Sequence, residues 1–128
     1  MYEYDAFVNR VVDGDTYDVQ IDLGFELTYG RSKKGVRLRL RGVDTPETWR
    51  PTTEAEREHG ERATQFVKDL IEGKFVKIKT YKMGIYGRYE ADVKVPSVNG
   101  ITTIYRDLGK ILEENFLVKA GDYGDGHV

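Results

Sequence analysis

Three observations in the sequence predict a mainly β domain with α-helices, that is, an α+β fold. Five runs alternate apolar and polar residues with the period of a half-buried strand, and one strong helical period falls between the third and fourth runs. No repeat, linker or low-complexity tract divides the 128 residues, 39 % of which are apolar. That length and composition suit one domain over residues 1–128, with a glycine-rich flexible tail from about 121 to 128.

The first run, Tyr4 to Val12, ends at Asp13-Gly14, a strong turn signal, and a second run follows from Thr16 to Leu23. Together they predict a hairpin with Asp15 and Thr16 at the entrance of its second strand. Gly24 to Gly35 reads as a loose connection. From Val36 to Arg41, Val36, Leu38 and Leu40 alternate with Arg37, Arg39 and Arg41, so one face packs and the other carries charge. Gly42 permits a bend, and Pro46 holds Thr45 in an extended conformation, which ends the strand. Thr53-Glu54-Ala55-Glu56 has the pattern of a helix start, but Gly60 interrupts it, and the continuous helical signal begins at Glu61. There Ala63, Phe66, Val67, Leu70 and Ile71 form one stripe, stopped by Gly73. Phe75 to Tyr81 is the fourth strand and Arg88 to Val95 the fifth, with a turn over Met83 to Gly87. After Pro96 and Asn99-Gly100, a final helix is predicted from about Thr103, with Tyr105, Leu108, Ile111, Leu112 and Phe116 on one side. This order suggests the five-stranded Greek-key barrel of the OB-fold, with two to three helices.

Charge and composition exclude several classes of function. A net charge of -2 is unlike proteins that coat nucleic acid by bulk electrostatics, yet six basic residues and no acidic one lie between Arg31 and Arg41. There is no cysteine, so thiolate metal sites and cysteine catalysis are excluded. His59 and His127 stand far apart and read as surface residues, so any metal is expected to be a hard cation held by oxygen. No apolar run reaches membrane-spanning length, and the first residues lack the pattern of a signal peptide. A cytoplasmic monomer without membrane contact is expected, or a secreted one if a leader has been removed.

Three clusters carry chemistry: Asp13-Gly14-Asp15-Thr16, Arg39 through Glu47, and Tyr86-Gly87-Arg88. Each alone is ordinary, because Asp-Gly marks turns, arginine lines solvated strand faces, and Tyr-Gly-Arg suits a hairpin tip. Together they supply the acids Asp15, Asp44 and Glu47 and the cations Arg39 and Arg88, a combination suited to phosphodiester hydrolysis. Arginine fits the task because its planar fork grips two oxygens. Asp13-Gly14-Asp15 is not an EF-hand, because Tyr17 and Asp18 stand where that loop needs an oxygen ligand and glycine.

In the order and approximate spacing of these motifs the sequence resembles the staphylococcal nuclease (thermonuclease) family, from about Val8 to Ala120. The resemblance implies the OB-fold barrel and a calcium-dependent nuclease acting on DNA and RNA, preferentially single-stranded, with little sequence preference. It implies that Asp15, Asp44 and the Thr45 carbonyl hold Ca²⁺, with Mn²⁺ or Mg²⁺ as alternatives. Glu47 would activate or position the attacking water, and Arg39 and Arg88 would bind the phosphate. Tyr86, Arg41 and Tyr123 are assigned to substrate binding, and cleavage of the bond to the 5′ oxygen would leave a 3′-phosphate. The rival readings are a non-catalytic module of the same fold that binds nucleic acid or protein, and a purely structural barrel in which the arginines are solvated.

Overall fold

The computed structural model describes residues 3–25, 27–30, 35–46, 53–83 and 89–119. Strand β1 (Glu3–Asp13) turns at Gly14-Asp15 into β2 (Thr16–Gly24), and the two pair antiparallel. β2 pairs antiparallel with β4 (Val36–Leu40), which runs parallel to β6 (Tyr89–Asn99). β6 pairs antiparallel with β5 (Phe75–Met83), and β5 pairs back onto β1. Five strands thus close into a ring in the order β1, β2, β4, β6, β5, the barrel architecture expected of the α+β reading. A parallel pair cannot be joined by a tight turn. The chain between β4 and β6 therefore runs through helix α1 (Glu54–Ile71) and β5.

Alternation decides what the ring encloses. Val8, Val19, Leu38, Ile78, Ala91 and Val93 point inward and are at most 1 % exposed, whereas their neighbours Arg37, Arg39, Lys77, Lys79 and Asp92 keep contact with solvent. Helix α1 covers the core with Ala63, Val67 and Ile71, all buried, while Phe66 and Leu70 are only partly so. Val8 and Glu72 fasten the helix end to β1, since the Gly73 N–H donates to the Val8 carbonyl at 2.8 Å and the Val11 N–H to Glu72 Oε2 at 2.9 Å. No helix among the described residues is long and apolar enough to cross a membrane.

Three elements differ from the sequence expectations. Helix α1 begins at Glu54, one and a half turns before Gly60, because Thr53 caps it by accepting the Glu56 N–H at 3.0 Å. Gly60 costs a helix about 1 kcal/mol relative to alanine. The cap and the buried apolar stripe outweigh that cost. The connection after β2 contains a short strand, β3 (Leu27–Tyr29), paired with β2 at Ile21 and Asp22. The predicted final helix is divided into strand β7 (Thr102–Asp107) and a shorter helix α2 (Leu108–Glu114). Gly100, with φ 68°, takes the first central position of a two-residue turn, and the β-branched and aromatic residues Thr102 to Tyr105 then pair back onto β6. Asp107 caps α2 by accepting the Lys110 N–H at 3.1 Å. Tyr105 and Phe116, expected on the helix's apolar side, are both exposed, whereas Leu108, Ile111 and Leu112 are buried. His59 is half-buried, its Nε2 lying 2.6 Å from the Phe116 carbonyl oxygen. The predicted tail at 121–128 lies outside the described residues.

Candidate active site

The start of β2 and the end of β4 are neighbours in the ring, because Thr16 pairs with Arg39. That register brings the Asp15 turn beside the corner at Gly42 to Pro46, 30 residues away in sequence at the Asp15–Thr45 contact. The Leu40 N–H donates to the Asp15 carbonyl at 2.8 Å, so the turn is joined to the strand by its main chain as well. Gly42 makes the corner with φ 72°, a conformation that side chains resist.

Asp15 is only 8 % exposed, and its carboxylate is well supplied with donors. Oδ1 accepts the Thr16 hydroxyl at 3.0 Å, and Oδ2 accepts the Thr45 N–H at 3.1 Å and Arg39 Nη1 at 3.2 Å. The other arm of the same guanidinium donates to Asp44 Oδ1. Arg39 therefore bridges a buried carboxylate and an exposed one. Burial pulls its proton affinity down, but the charges of Asp15, Asp44 and Glu90 outweigh that and raise its pKa, so it stays cationic.

The corner itself is packed from several sides. A Cβ on Gly14 would come within 2.9 Å of the Thr45 side chain, and one on Gly109 within 2.9 Å of Val43 Cγ2, so both glycines leave room for it. The Lys119 N–H donates to the Asp44 carbonyl at 2.7 Å, which ties the corner to the chain after α2. Beneath it, the Tyr17 hydroxyl donates to the Gly14 carbonyl. Burial and the nearby Asp15 charge push that phenol well above its usual pKa, against the opposing pull of Arg39.

Of the residues assigned from sequence, Asp15, Arg39, Asp44 and Thr45 come together here. Glu47, Tyr86, Arg88 and Tyr123 lie outside the described residues, as do Arg31, Lys33 and Lys34 of the basic stretch. Arg37 on β4 and Arg41 just past its end have different surroundings. Arg37 is paired with both oxygens of the buried Asp18, at 2.9 and 3.2 Å. Arg41 is exposed, with its guanidinium carbon 4.0 Å from the centroid of the Tyr81 ring. Tyr81 in turn donates its hydroxyl to Asp92 Oδ2 at 2.7 Å, which raises its pKa and keeps it neutral. Tyr81 and Asp92 were not legible as neighbours of Arg41, because only the pairing of β4, β6 and β5 brings them to it.

The donor chemistry fits a hard cation. Asp15 and Asp44 both contact one positive group, the Arg39 guanidinium, so two carboxylates face the same corner. Thr45 Oγ1 is buried beside them and has no hydrogen-bond partner among the described residues, leaving one more oxygen at the corner. Among the described residues, no group of three or more histidine, cysteine, aspartate or glutamate side chains is placed to hold a metal ion.

Comparison with known proteins gives the same direction. A thermonuclease of Staphylococcus hyicus is 33 % identical over 114 residues, which are 89 % of this chain and 54 % of that protein. Proteins of Escherichia coli O157:H7 and Escherichia coli, each named as an uncharacterized endonuclease, are 33 % identical over 89 residues, 70 % of this chain and 47 % of theirs. The chain thus spans about half the length of the curated relatives it matches. The family model described as staphylococcal nuclease homologue matches residues 37–121, a stretch that begins inside the arginine strand and takes in its corner, and with the ring of five strands around that corner the chain belongs to the staphylococcal nuclease homologue family.

Proposed function

We propose that this protein is a calcium-dependent nuclease that hydrolyses phosphodiester bonds of DNA and RNA, preferentially single-stranded, with little sequence preference. The observation that carries the reading is the shared guanidinium: Arg39 lies between Asp15 and Asp44 at a corner whose main-chain Thr45 N–H also faces Asp15. A cation held at one corner beside two carboxylates is what phosphate binding next to an ion would use.

Asp15, Asp44 and the Thr45 carbonyl would hold the ion. When bound, it supplies positive charge against a non-bridging phosphate oxygen. Arg39 holds the same phosphate by its fork, with Arg88 as its partner, and together they oppose the charge that grows on the equatorial oxygens. Glu47 orients the attacking water and accepts its proton. The new bond forms between that water oxygen and phosphorus as the bond to the 5′ oxygen breaks; the departing oxygen takes a proton from solvent, so the products are a 3′-phosphate and a 5′-hydroxyl. Names of relatives support this chemistry, since the matched proteins are called endonucleases and a thermonuclease.

Cleavage of single-stranded DNA and RNA measured with EDTA, Ca²⁺, Mg²⁺ or Mn²⁺, with Glu47→Gln in parallel, tests the proposal. Cutting is expected with Ca²⁺, none with EDTA, and a loss of about a hundredfold or more in the variant. Nucleic acid retained but uncut by the native protein would instead favour the non-catalytic binding module.

A further inference from the structure

We propose that Arg41 is a second phosphate-binding position, held ready by Tyr81 and Asp92, so that Arg39 and Arg41 grip successive phosphates of one nucleic-acid strand. The inference rests on the nuclease reading and adds to it the register of the strand beyond the reacting bond.

Three arginines alternate here, Arg37 and Arg39 on β4 and Arg41 just past its end, and their surroundings differ. Arg37 is neutralised by a two-pronged pair with Asp18. Arg39 is engaged by Asp15 and Asp44. Arg41 is exposed, and none of the ion pairs among the described residues includes it. The nearby carboxylate, Asp92, accepts the Tyr81 hydroxyl at 2.7 Å instead. Arg41 lies over the face of that ring, at 4.0 Å from its centroid, so the aromatic surface rather than an opposite charge fixes the guanidinium. A guanidinium carries five N–H donors, more than contact with one tyrosine uses, so donors remain to meet an anion.

The position is fixed by the sheet. The Arg41 N–H donates to the Ala91 carbonyl at 2.9 Å, beside the Leu40–Ala91 register pair, and Ala91 pairs on its other side with Thr80. Asp92 on β6 and Tyr81 on β5 therefore stand beside Arg41, which follows the last residue of β4, two positions after Arg39. Residues two apart on a strand are about 6.6 Å apart. That is close to the separation of neighbouring phosphates on an extended nucleic-acid strand. A guanidinium already stacked has little side-chain freedom left to lose when the phosphate arrives. Arg41 is thus a substrate-binding residue, and Tyr81 is a positioning residue acting through it.

Binding of a labelled single-stranded thymidylate oligomer, followed by anisotropy in Glu47→Gln protein across a range of salt concentrations, is the first test. Each phosphate neutralised on a single strand contributes about -0.7 to the slope of log K against log salt. Arg41→Gln is expected to raise Kd about tenfold and to make that slope shallower by about 0.7. Arg41→Lys should keep the slope. Tyr81→Leu should weaken binding with the slope retained, and Tyr81→Phe, which keeps the ring, should restore most of the affinity. In the native background, Arg41→Gln should act on KM more than on kcat, and more on a substrate with two phosphodiesters than on one with a single bond. Unfolding midpoints equal to that of the native protein would confirm that each variant folds. In Arg41→Gln, an unchanged Kd and slope, a loss of affinity with no change in slope, or an equal penalty on both substrates overturns the proposal. If the parent protein neither binds nor cuts nucleic acid, the nuclease reading fails first and this one with it.

Discussion

Arg39 meets two carboxylates with two arms of one guanidinium, and a compact ammonium cannot do both. Arg39→Lys is therefore expected to lower kcat by about a hundredfold while the protein stays folded, as steady-state kinetics and a thermal melt would show. The arginine, Asp15, Asp44 and Thr45 were legible because their cues are local: a turn signal, a two-residue period, a glycine and a proline. Asp18 and Tyr81 were not, because each acquires its role from a partner on another strand, Arg37 for one and Arg41 and Asp92 for the other. Tyr17 offers a test by pH. Its pKa is raised by folding, so the stability it confers is complete below the unfolded value of 10.0 and is lost as pH climbs from there towards the folded value. Tyr17→Phe removes the hydrogen bond to Gly14 and should cost about 1 kcal/mol at neutral pH. That advantage of the native protein should shrink above pH 10 in denaturant titrations, and a difference constant with pH would show that the phenol is not the titrating group.

At the scale of elements, the chain is most legible where one period dominates and least where two compete. Helix α1 has a single reading after Gly60, and its stripe is buried as expected, yet burial within the stripe is uneven. Ile71 is fully enclosed, while Leu70 only packs against the edge of the core. Ile71→Ala should cost about 2 to 5 kcal/mol, and Leu70→Ala distinctly less. Comparable losses in urea unfolding would mean that the helix sits deeper on the sheet than the burial indicates. The segment after Gly100 carries both signals at once. Tyr105, Leu108 and Leu112 fall at helical spacing, but Thr102 to Tyr105 favour strand and have β6 beside them to pair with. Hairpin pairing decided between them: the partner β6 stands directly before Gly100, and the two-residue turn there folds Thr102 to Tyr105 back onto it.

The ring of five strands places Asp15 and Arg39 on neighbouring strands at one rim, so the site inherits its rigidity from ring closure. The outer part of the β6–β7 hairpin contributes nothing to that closure. Every residue from 96 to 106 is exposed, including Val98, Ile101 and Ile104, and among the described residues β7 pairs only with β6. An edge strand with apolar side chains and few charges at its tip invites pairing with other chains. Deleting Val98, Asn99, Thr102 and Thr103 together brings the Ser97–Ile104 pair onto the same Gly100-Ile101 turn. Removing two residues from each strand keeps every remaining side chain on its own face. Because the deleted residues bury no core, unfolding free energy should change by less than about 1 kcal/mol, and kcat/KM for single-stranded DNA should stay within about twofold. Association at high concentration, read by light scattering, should fall. A large loss of activity would place the arm on the path of the substrate, and a large loss of stability would mean that the turn supports α2, which follows directly from β7.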